Sequence, residues 1–158
     1  MTAKIRQIEE SDYDPIISVL DDWWGGRQMT GMLPKLFFKH FNETSFLAEV
    51  GVEKVGFLIG FFSPTYASEA YIHFTGVHPD FRKVGVGRSL YQRFFEVTRK
   101  YKRKMVRCVT SPVNTNSIAF HQRMGFQMEP STDQLNSIPV YRNYDGPRED
   151  RVLFYKKL

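Results

Sequence analysis

The chain has 158 residues, of which 42% are hydrophobic and 25% charged, and its formal net charge is +5 at pH 7. This size fits one globular domain covering residues 1–158. The sequence has no apolar run long enough to span a membrane and no signal-peptide pattern, so we expect a cytoplasmic protein without a membrane partner. The single cysteine, Cys108, excludes an intramolecular disulfide and a cysteine-based metal cluster, and its strand-like surroundings predict a buried apolar side chain.

The first half of the chain combines strand and helix patterns. Residues 4–8 alternate like a strand, and capping residues at 11–15 predict a helix that ends before Gly25. Pro34 fits an early position of a second helix that runs to residue 41. Three apolar runs then predict consecutive strands, the first two joined as a hairpin: residues 45–50, 55–62 and 70–77.

The second half predicts two more helices, further strands and a long loop. From Gly85 to Tyr101, apolar residues recur at three- and four-residue intervals, which indicates an amphipathic helix. The later elements are a strand at 104–110, a helix at 114–124 ended by Gly125, another strand, and a closing strand at 151–156. Residues 129–150 contain three prolines and predict a long irregular connection. This order indicates an α+β (mixed α/β) domain with a largely antiparallel first half.

The turn before the third helix carries the most informative pattern, Arg82-x-x-Gly85-x-Gly87. Backbone N–H groups at a helix start bind phosphate well, and glycines let the ligand approach the main chain closely. A Rossmann G-x-G-x-x-G motif is excluded because Leu90 stands in the third glycine position, and a Walker G-x-x-x-x-G-K-[ST] motif is absent. The turn therefore predicts a phosphate site of another class.

Two motifs in sequence order resemble the GNAT superfamily of acetyl-CoA-dependent N-acetyltransferases. The first is the family's [RQ]-x-x-G-x-[GA] signature, met at Arg82, Gly85 and Gly87 after Val77-x-Pro79. The second is Asn114-x-x-Ser117-x-x-Phe120-His121-x-x-Met124-Gly125-Phe126, which is similar to the family's N-x-x-A-x-x-L-Y-x-x-x-G-F element. The resemblance covers nearly the whole chain. It implies a mostly antiparallel, twisted central sheet flanked by helices.

The resemblance also implies acetyl-CoA as cosubstrate and no metal. In the family the pyrophosphate lies on the signature turn, and the pantetheine arm follows the preceding strand. Asn114 is expected near the pantetheine, although a helix N-cap role explains it equally well. We interpret Gly76 as marking the bulge that splays this strand from the next, with loss of side-chain packing as the alternative. The implied cofactor-binding residues are Val77, Arg82, Lys83, Val84, Gly85, Val86, Gly87, Arg88, Ser89 and Asn114.

Acyl transfer requires a neutral acceptor amine, so a general base is expected. Strand alternation predicts that Tyr71, His73 and Thr75 share one face, and His73 is the candidate base on a strand where the family often has a glutamate. His121 stands where the family usually has a tyrosine that protonates the leaving CoA thiolate, so it is the candidate acid. Buried packing is the alternative for both histidines. Other candidates for the acid are Tyr141, Tyr144 and Tyr155.

The acceptor, a small-molecule or peptide amine, is expected between the early helices and the late loop. Adjacent tryptophans beside Asp21 and Asp22 suit a cationic amine, whereas Arg27 suits an acceptor that carries a carboxylate. Burial of one tryptophan in the core is the alternative, and exposed aromatic residues here equally suit a homodimer contact. The predicted substrate-binding residues are Trp23, Trp24, Arg27 and Thr75.

The leading prediction is an N-acetyltransferase that works by direct attack within a ternary complex. A non-catalytic CoA-binding or regulatory module, in which both histidines only pack, is the alternative. A third reading is a nucleic-acid binder that uses the basic run at residues 99–104. Because cations at a helix end complement the helix dipole, that run favours a solvated helix end, and no nucleic-acid partner is expected.

Overall fold

The computed structural model describes residues 2–158. Its longer elements are β1 (Lys4–Gln7), α1 (Tyr13–Trp23), α2 (Leu36–His40), β2 (Phe46–Val50), β3 (Glu53–Phe62), β4 (Glu69–Val77), α3 (Val86–Lys100), β5 (Met105–Thr110), α4 (Thr115–Arg123), β6 (Gln127–Met128), β7 (Asp133–Leu135), β8 (Ile138–Val140) and β9 (Val152–Lys157). Short 3₁₀ turns lie at Glu10–Asp12, Thr30–Met32, Asn42–Thr44 and Pro79–Phe81. The predicted order of helices and strands is confirmed, with the β7–β8 hairpin as an addition.

Seven of the strands form one sheet, in the order β1-β2-β3-β4-β5-β9-β6. β4 and β5 are its parallel neighbours, and they are connected by α3 as a crossover helix. The other neighbouring strands of this sheet pair antiparallel. The predicted α+β class with a mostly antiparallel sheet is therefore confirmed.

Apolar side chains cover both faces of the sheet and form two cores. On one face, Leu20 of α1 and Phe38 of α2 pack with Phe57 of β3. On the other face, Phe94 of α3 packs in one cluster with strand residues such as Leu58. Alternation along each strand sends successive side chains to opposite cores, which is why the helices divide between the two faces. We call these the α1/α2 face and the α3/α4 face.

The sheet opens where β4 and β5 separate. Their pairing covers three residues, and the last pair is Tyr71 with Arg107. Both strands continue beyond it, β4 to Val77 and β5 to Thr110. Backbone groups on the β5 side of this part of β4 are therefore available to a partner other than a strand. We call this opening, between residues 72–77 of β4 and 108–110 of β5, the fork.

A bulge at His73 changes which face the residues of β4 point to. Ile59 of β3 pairs with Phe74, but the next residue, Gly60, pairs with Ile72, so His73 is an extra residue. His73 and Phe74 consequently both lie on the α1/α2 face. The prediction that Thr75 shares a face with His73 is wrong, because strict alternation ends at the bulge.

Gly76 does not mark the bulge, contrary to the interpretation from the sequence. A Cβ atom at Gly76 would lie 2.5 Å from Phe57 and 2.9 Å from Trp24. The glycine is explained by these two rings, which pack directly on the strand backbone.

The prediction of an irregular connection over residues 129–150 is also wrong in part. β7 and β8 form a hairpin whose turn residues, Asn136 and Ser137, both have positive φ. A two-residue turn with both φ values positive follows the twist of the two strands that it joins. The surrounding prolines made this hairpin hard to predict from the sequence. Tyr141 and Arg151 then pair as an isolated bridge. Among residues 2–158, no helix combines the length and apolar character needed to cross a membrane.

Candidate active site

The turn between β4 and α3 forms an open concave backbone surface, which we call the cradle (residues 82–88). Gly85 has φ of +94° at the N-cap of α3, a conformation that other residues rarely adopt. The first helical hydrogen bond runs from Ser89 N–H to the Gly85 carbonyl at 3.0 Å. The N–H groups of Val86, Gly87 and Arg88 precede this bond and are thus available to an anion.

The space above the cradle is open. A Cβ atom built on Gly85 would meet nothing within 4 Å in the described part of the chain. Lys83 and Val84 are exposed beside it, and Lys83 also has positive φ. The side chain of Arg82, in contrast, is engaged elsewhere: it donates to the carbonyls of Val77, at 3.1 Å, and Trp23. Arg82 therefore ties the end of α1 to the end of β4 and contributes to the cradle through its backbone.

Asn114 caps α4, as one of its two predicted roles requires. Its side-chain oxygen accepts a hydrogen bond from Ser117 N–H at 3.1 Å. Its role near a pantetheine arm stays a prediction.

Three polar side chains meet on the α3/α4 face near the fork: Thr75 of β4, Tyr91 of α3 and His121 of α4. Tyr91 Oη lies 2.8 Å from His121 Nε2. Burial is the main cause that raises the pKa of the Tyr91 phenol; the Cys108 thiol of β5 adds to it, and the nearby Thr75 hydroxyl opposes it without meeting the geometry of a hydrogen bond. Thr75 Oγ1 is buried and lacks a hydrogen-bond partner within residues 2–158. An unsatisfied buried hydroxyl beside the fork is the type of group that a ligand would satisfy.

The hydrogen bonds around His121 define its protonation. Nδ1 lies 2.7 Å from the Ser117 carbonyl, which can only accept, so Nδ1 carries the proton. Nε2 then accepts from the Tyr91 hydroxyl in the neutral ring. Burial lowers the pKa of His121, and the Ser117 carbonyl opposes this only in part. These contacts favour a neutral His121 ring at pH 7, which accepts a hydrogen bond at Nε2. This argues against His121 as the acid that the sequence suggested.

The buried imidazole makes a prediction about stability. The unfolded chain binds a proton at His121 below about pH 6.5, whereas the folded protein resists it. We therefore expect the free energy of unfolding to fall as pH drops below this value, by at most about 1.4 kcal/mol per pH unit from this group. His121→Phe, which can keep the stacking on Phe154, should flatten this part of the profile. Urea unfolding at pH 7.5 and 5.5 gives the free energy of unfolding of each protein at both pH values. An equal loss of stability between the two pH values in the wild type and in His121→Phe would refute the prediction.

His73 lies on the opposite face, stacked on Phe37 of α2 with ring centroids 4.6 Å apart. Its Nε2 lies 2.7 Å from the Met32 carbonyl, so Nε2 carries the proton. In the neutral ring this leaves Nδ1 with a free lone pair. The bulge and these two contacts thus fix the position of the His73 ring. Its catalytic role remains a prediction.

A cavity of about 490 Å³ borders the fork. Its lining includes the last β4–β5 pair, Tyr71 and Arg107, and the next β5 residues, Cys108 and Val109. Tyr71 stacks on Phe61 with centroids 5.5 Å apart, and burial raises the pKa of the Tyr71 phenol. We call this space the acceptor cavity. Its other lining residues are Ser63, Tyr66, Glu69, Ala70, Glu129, Tyr144, Leu153 and Phe154.

The predicted substrate-binding residues of the α1–α2 connection have different surroundings. Trp23 is buried and stacks on Phe57, which matches the core interpretation raised from the sequence. Trp24 is half-buried and contacts Phe74, and Arg27 is exposed. Trp24 and Arg27 thus remain accessible to an acceptor, whereas Trp23 has little surface to offer.

Sequence reasoning missed several residues around the fork. Tyr91 falls on the apolar stripe of α3, and its hydroxyl within that stripe was the available signal. Glu69, Arg107 and Glu129 gave no local signal because they lie in three separate segments. Of the tyrosines named as alternative acids, Tyr144 lines the acceptor cavity. The hydroxyls of the other two are engaged, Tyr141 with the Pro130 carbonyl and Tyr155 with Gln127.

No group of three or more His, Cys, Asp or Glu side chains in residues 2–158 is placed to hold a metal ion.

Comparisons with known proteins agree with this architecture. An uncharacterized N-acetyltransferase of Methanocaldococcus jannaschii is 32% identical over 138 residues, or 80% of this chain, and the chain spans 61% of that relative's length. Ard1 from Thermoplasma volcanium superimposes with a TM-score of 0.81 at 21% identity, covering 100% of this chain and 99% of the other. The diaminobutyrate acetyltransferase of Paenibacillus lautus, solved with its substrate L-2,4-diaminobutyric acid and coenzyme A, gives 0.73 at 19% identity over 98% and 95% of the two chains.

The model of the acetyltransferase (GNAT) family matches residues 5–126, which include the cradle, the fork and all of α4. The match covers well over half of the chain. This protein therefore belongs to the GNAT family of acetyltransferases.

Proposed function

We propose that this protein transfers the acetyl group of acetyl-CoA to a primary amine by direct attack within a ternary complex. One observation carries the proposal. The fork opens beside the cradle and the Thr75–Tyr91 pair on one side, and beside the acceptor cavity on the other. His73 lies two residues beyond the cavity residue Tyr71 on β4 and does not itself line the cavity. A thioester and an amine bound on the two sides can meet through this opening.

The chain fits the CoA part of acetyl-CoA in three respects. The cradle presents backbone N–H groups at a helix start with empty space above Gly85, as a pyrophosphate requires. The β5 side of residues 72–76 is not paired with a strand and is open to the amides of a pantetheine arm, whereas the Val77 carbonyl already accepts from Arg82. The Thr75 hydroxyl is buried without a hydrogen-bond partner within residues 2–158, so the ligand can supply one. Acetyl-CoA would supply an acetyl group activated as a thioester.

His73 is proposed to take the proton of the acceptor amine. A lysine-like amine has a pKa near 10.4, so keeping it neutral at pH 7 costs roughly 4 to 5 kcal/mol. A base within reach, direct or through water, lowers that cost at the moment of attack. The Nδ1 lone pair of His73 is available because Nε2 is bound to Met32.

We assign the leaving-group side to Thr75 and Tyr91, with His121 as a positioning residue. Burial raises the pKa of the Tyr91 phenol, so Tyr91 keeps its proton and donates a hydrogen bond to His121 Nε2, and the Thr75 hydroxyl is the donor left for the departing sulfur. His121 orients the Tyr91 hydroxyl by accepting from it. Cys108 is an unsuitable nucleophile because burial raises the pKa of its thiol. This supports direct attack over a covalent acetyl-cysteine.

The solved relatives act on different amines, which leaves the acceptor open. One binds L-2,4-diaminobutyric acid, and another is a ribosomal-protein-S18-alanine N-acetyltransferase from Escherichia coli. Small-molecule and peptide amines are therefore both candidate acceptors. A module that only binds CoA would not need an acceptor cavity that opens at the fork, so we favour the enzyme.

A panel of primary amines incubated with acetyl-CoA tests the proposal, with thiol release measured between pH 6 and 9. We expect amine-dependent release of CoA and one amide formed per thiol. Stabilisation by CoA without turnover of any amine would reject the enzyme and support the alternative, a module that only binds CoA.

A further inference from the structure

The acceptor cavity combines aromatic walls with a cluster of charges at one end. Phe61, Tyr71 and Tyr144 supply flat faces that suit a methylene chain or a cation. At the end away from the tip of β4, Arg107 binds Glu69 at 2.7 Å and also binds Glu129. These residues belong to β4, β5 and the segment after β6.

The three side chains of the cluster together carry one net negative charge, and the Arg103 guanidinium donates to the Glu69 carbonyl at 3.0 Å beside them. Two carboxylates share one guanidinium, and the Arg107 pKa is raised mainly by its hydrogen bond to Glu69, so Arg107 stays positive. All three side chains are partly buried, which reduces their screening by solvent and salt. Arg107 is therefore committed to its own carboxylates and does not present a site for a carboxylate on the acceptor.

These carboxylates would be counterproductive next to the reacting amine. A nearby negative charge raises the pKa of an amine and holds it as the unreactive ammonium ion. They contribute to turnover only if they hold a different cation of the same acceptor. The spacing of Glu69 and His73 along β4 agrees with a charge site at one end of the acceptor and a reaction site at the other. Tyr71 and His73 lie two and four residues beyond Glu69, or about 7 Å and, because of the bulge, somewhat less than about 13 Å along the strand.

We propose that the acceptor is a dibasic amine, whose second cation binds the Glu69–Arg107–Glu129 cluster while its neutral primary amine reacts near His73. The inference rests on the proposed acetyltransferase function and specifies its substrate class. The aromatic walls hold the chain between the two nitrogen atoms. An acceptor with a carboxylate in place of the second cation is repelled.

Three amines of matched length test this in the wild-type protein: 1,5-diaminopentane, 1-aminopentane and 5-aminopentanoate. We expect kcat/KM to fall in that order, with the diamine about tenfold or more above the monoamine, mostly through KM. Raising the ionic strength should reduce the advantage of the diamine. Equal kcat/KM for the three amines, or a preference for the aminocarboxylate, would overturn the inference and leave the acetyltransferase function intact.

Glu129→Gln tests the site itself. We expect it to remove most of the preference for the diamine over 1-aminopentane, measured as the ratio of the two kcat/KM values. Glu96→Gln on the exposed side of α3 is the matched control and should keep the preference. A Glu129→Gln protein that is stabilised by CoA as the wild type is, yet still prefers the diamine, would contradict the assignment. If no amine is turned over by the wild type, the proposed function fails and the inference fails with it.

Discussion

Gly85→Val is expected to abolish stabilisation of the protein by CoA. Valine is disfavoured at φ of +94°, and its methyl groups would fill the space above the cradle that is empty in the structure. The backbone strain costs about 1–2 kcal/mol in both the free and the bound protein. The loss of ligand binding comes in addition, because the N–H groups of the first turn of α3 can no longer be approached.

Thermal unfolding with and without CoA measures this effect. At a CoA concentration of about 100 times Kd, the wild type should gain roughly 5–10 °C in Tm. Gly51→Val provides the matched control, since Gly51 also has positive φ and open space but lies in the turn between β2 and β3. It should lower Tm similarly and keep the gain from CoA. If Gly85→Val retains the full gain, the cradle is not the CoA site.

His73→Gln is expected to lower kcat by about 10²–10⁴-fold and leave CoA binding unchanged. The glutamine amide can still donate to the Met32 carbonyl, so the local contact is preserved. It offers no basic nitrogen in place of Nδ1. The variant therefore separates the base from the structural role of the side chain.

The measurement is kcat at neutral pH together with the gain in Tm from CoA. His40→Gln, an exposed histidine of α2, should behave as the wild type. Near wild-type kcat for His73→Gln would show that His73 only packs against Phe37. A fall in kcat together with a lost gain from CoA would indicate damage to the site and not removal of a base.

The parts of the site that depend on neighbouring residues could be predicted from the sequence. The cradle follows from a strand, a glycine turn and an amphipathic helix that are contiguous in the chain. The cap at Asn114 and the positive φ of Gly125 also follow from local chemistry. In each case the determining contacts lie within a few residues of one another.

The bulge at His73 could not be predicted, because it depends on the pairing of β4 with β3. A single extra residue reverses the faces of the positions after it, and that is why Thr75 belongs with Tyr91 and not with His73. The Glu69–Arg107–Glu129 cluster is a product of the fold as well. Its members are 38 and 22 residues apart in sequence and meet only when β4 pairs with β5 and the segment after β6 pairs with β9 beside them.

The central claim is that the fork joins a bound acetyl thioester to an amine. Mass spectrometry of the wild-type reaction with isotopically labelled acetyl-CoA and 1,5-diaminopentane tests it most directly. We predict a diamine that carries one labelled acetyl group for each CoA released. CoA released without labelled amide, or label attached to the protein with none in the diamine, would contradict direct transfer at this site.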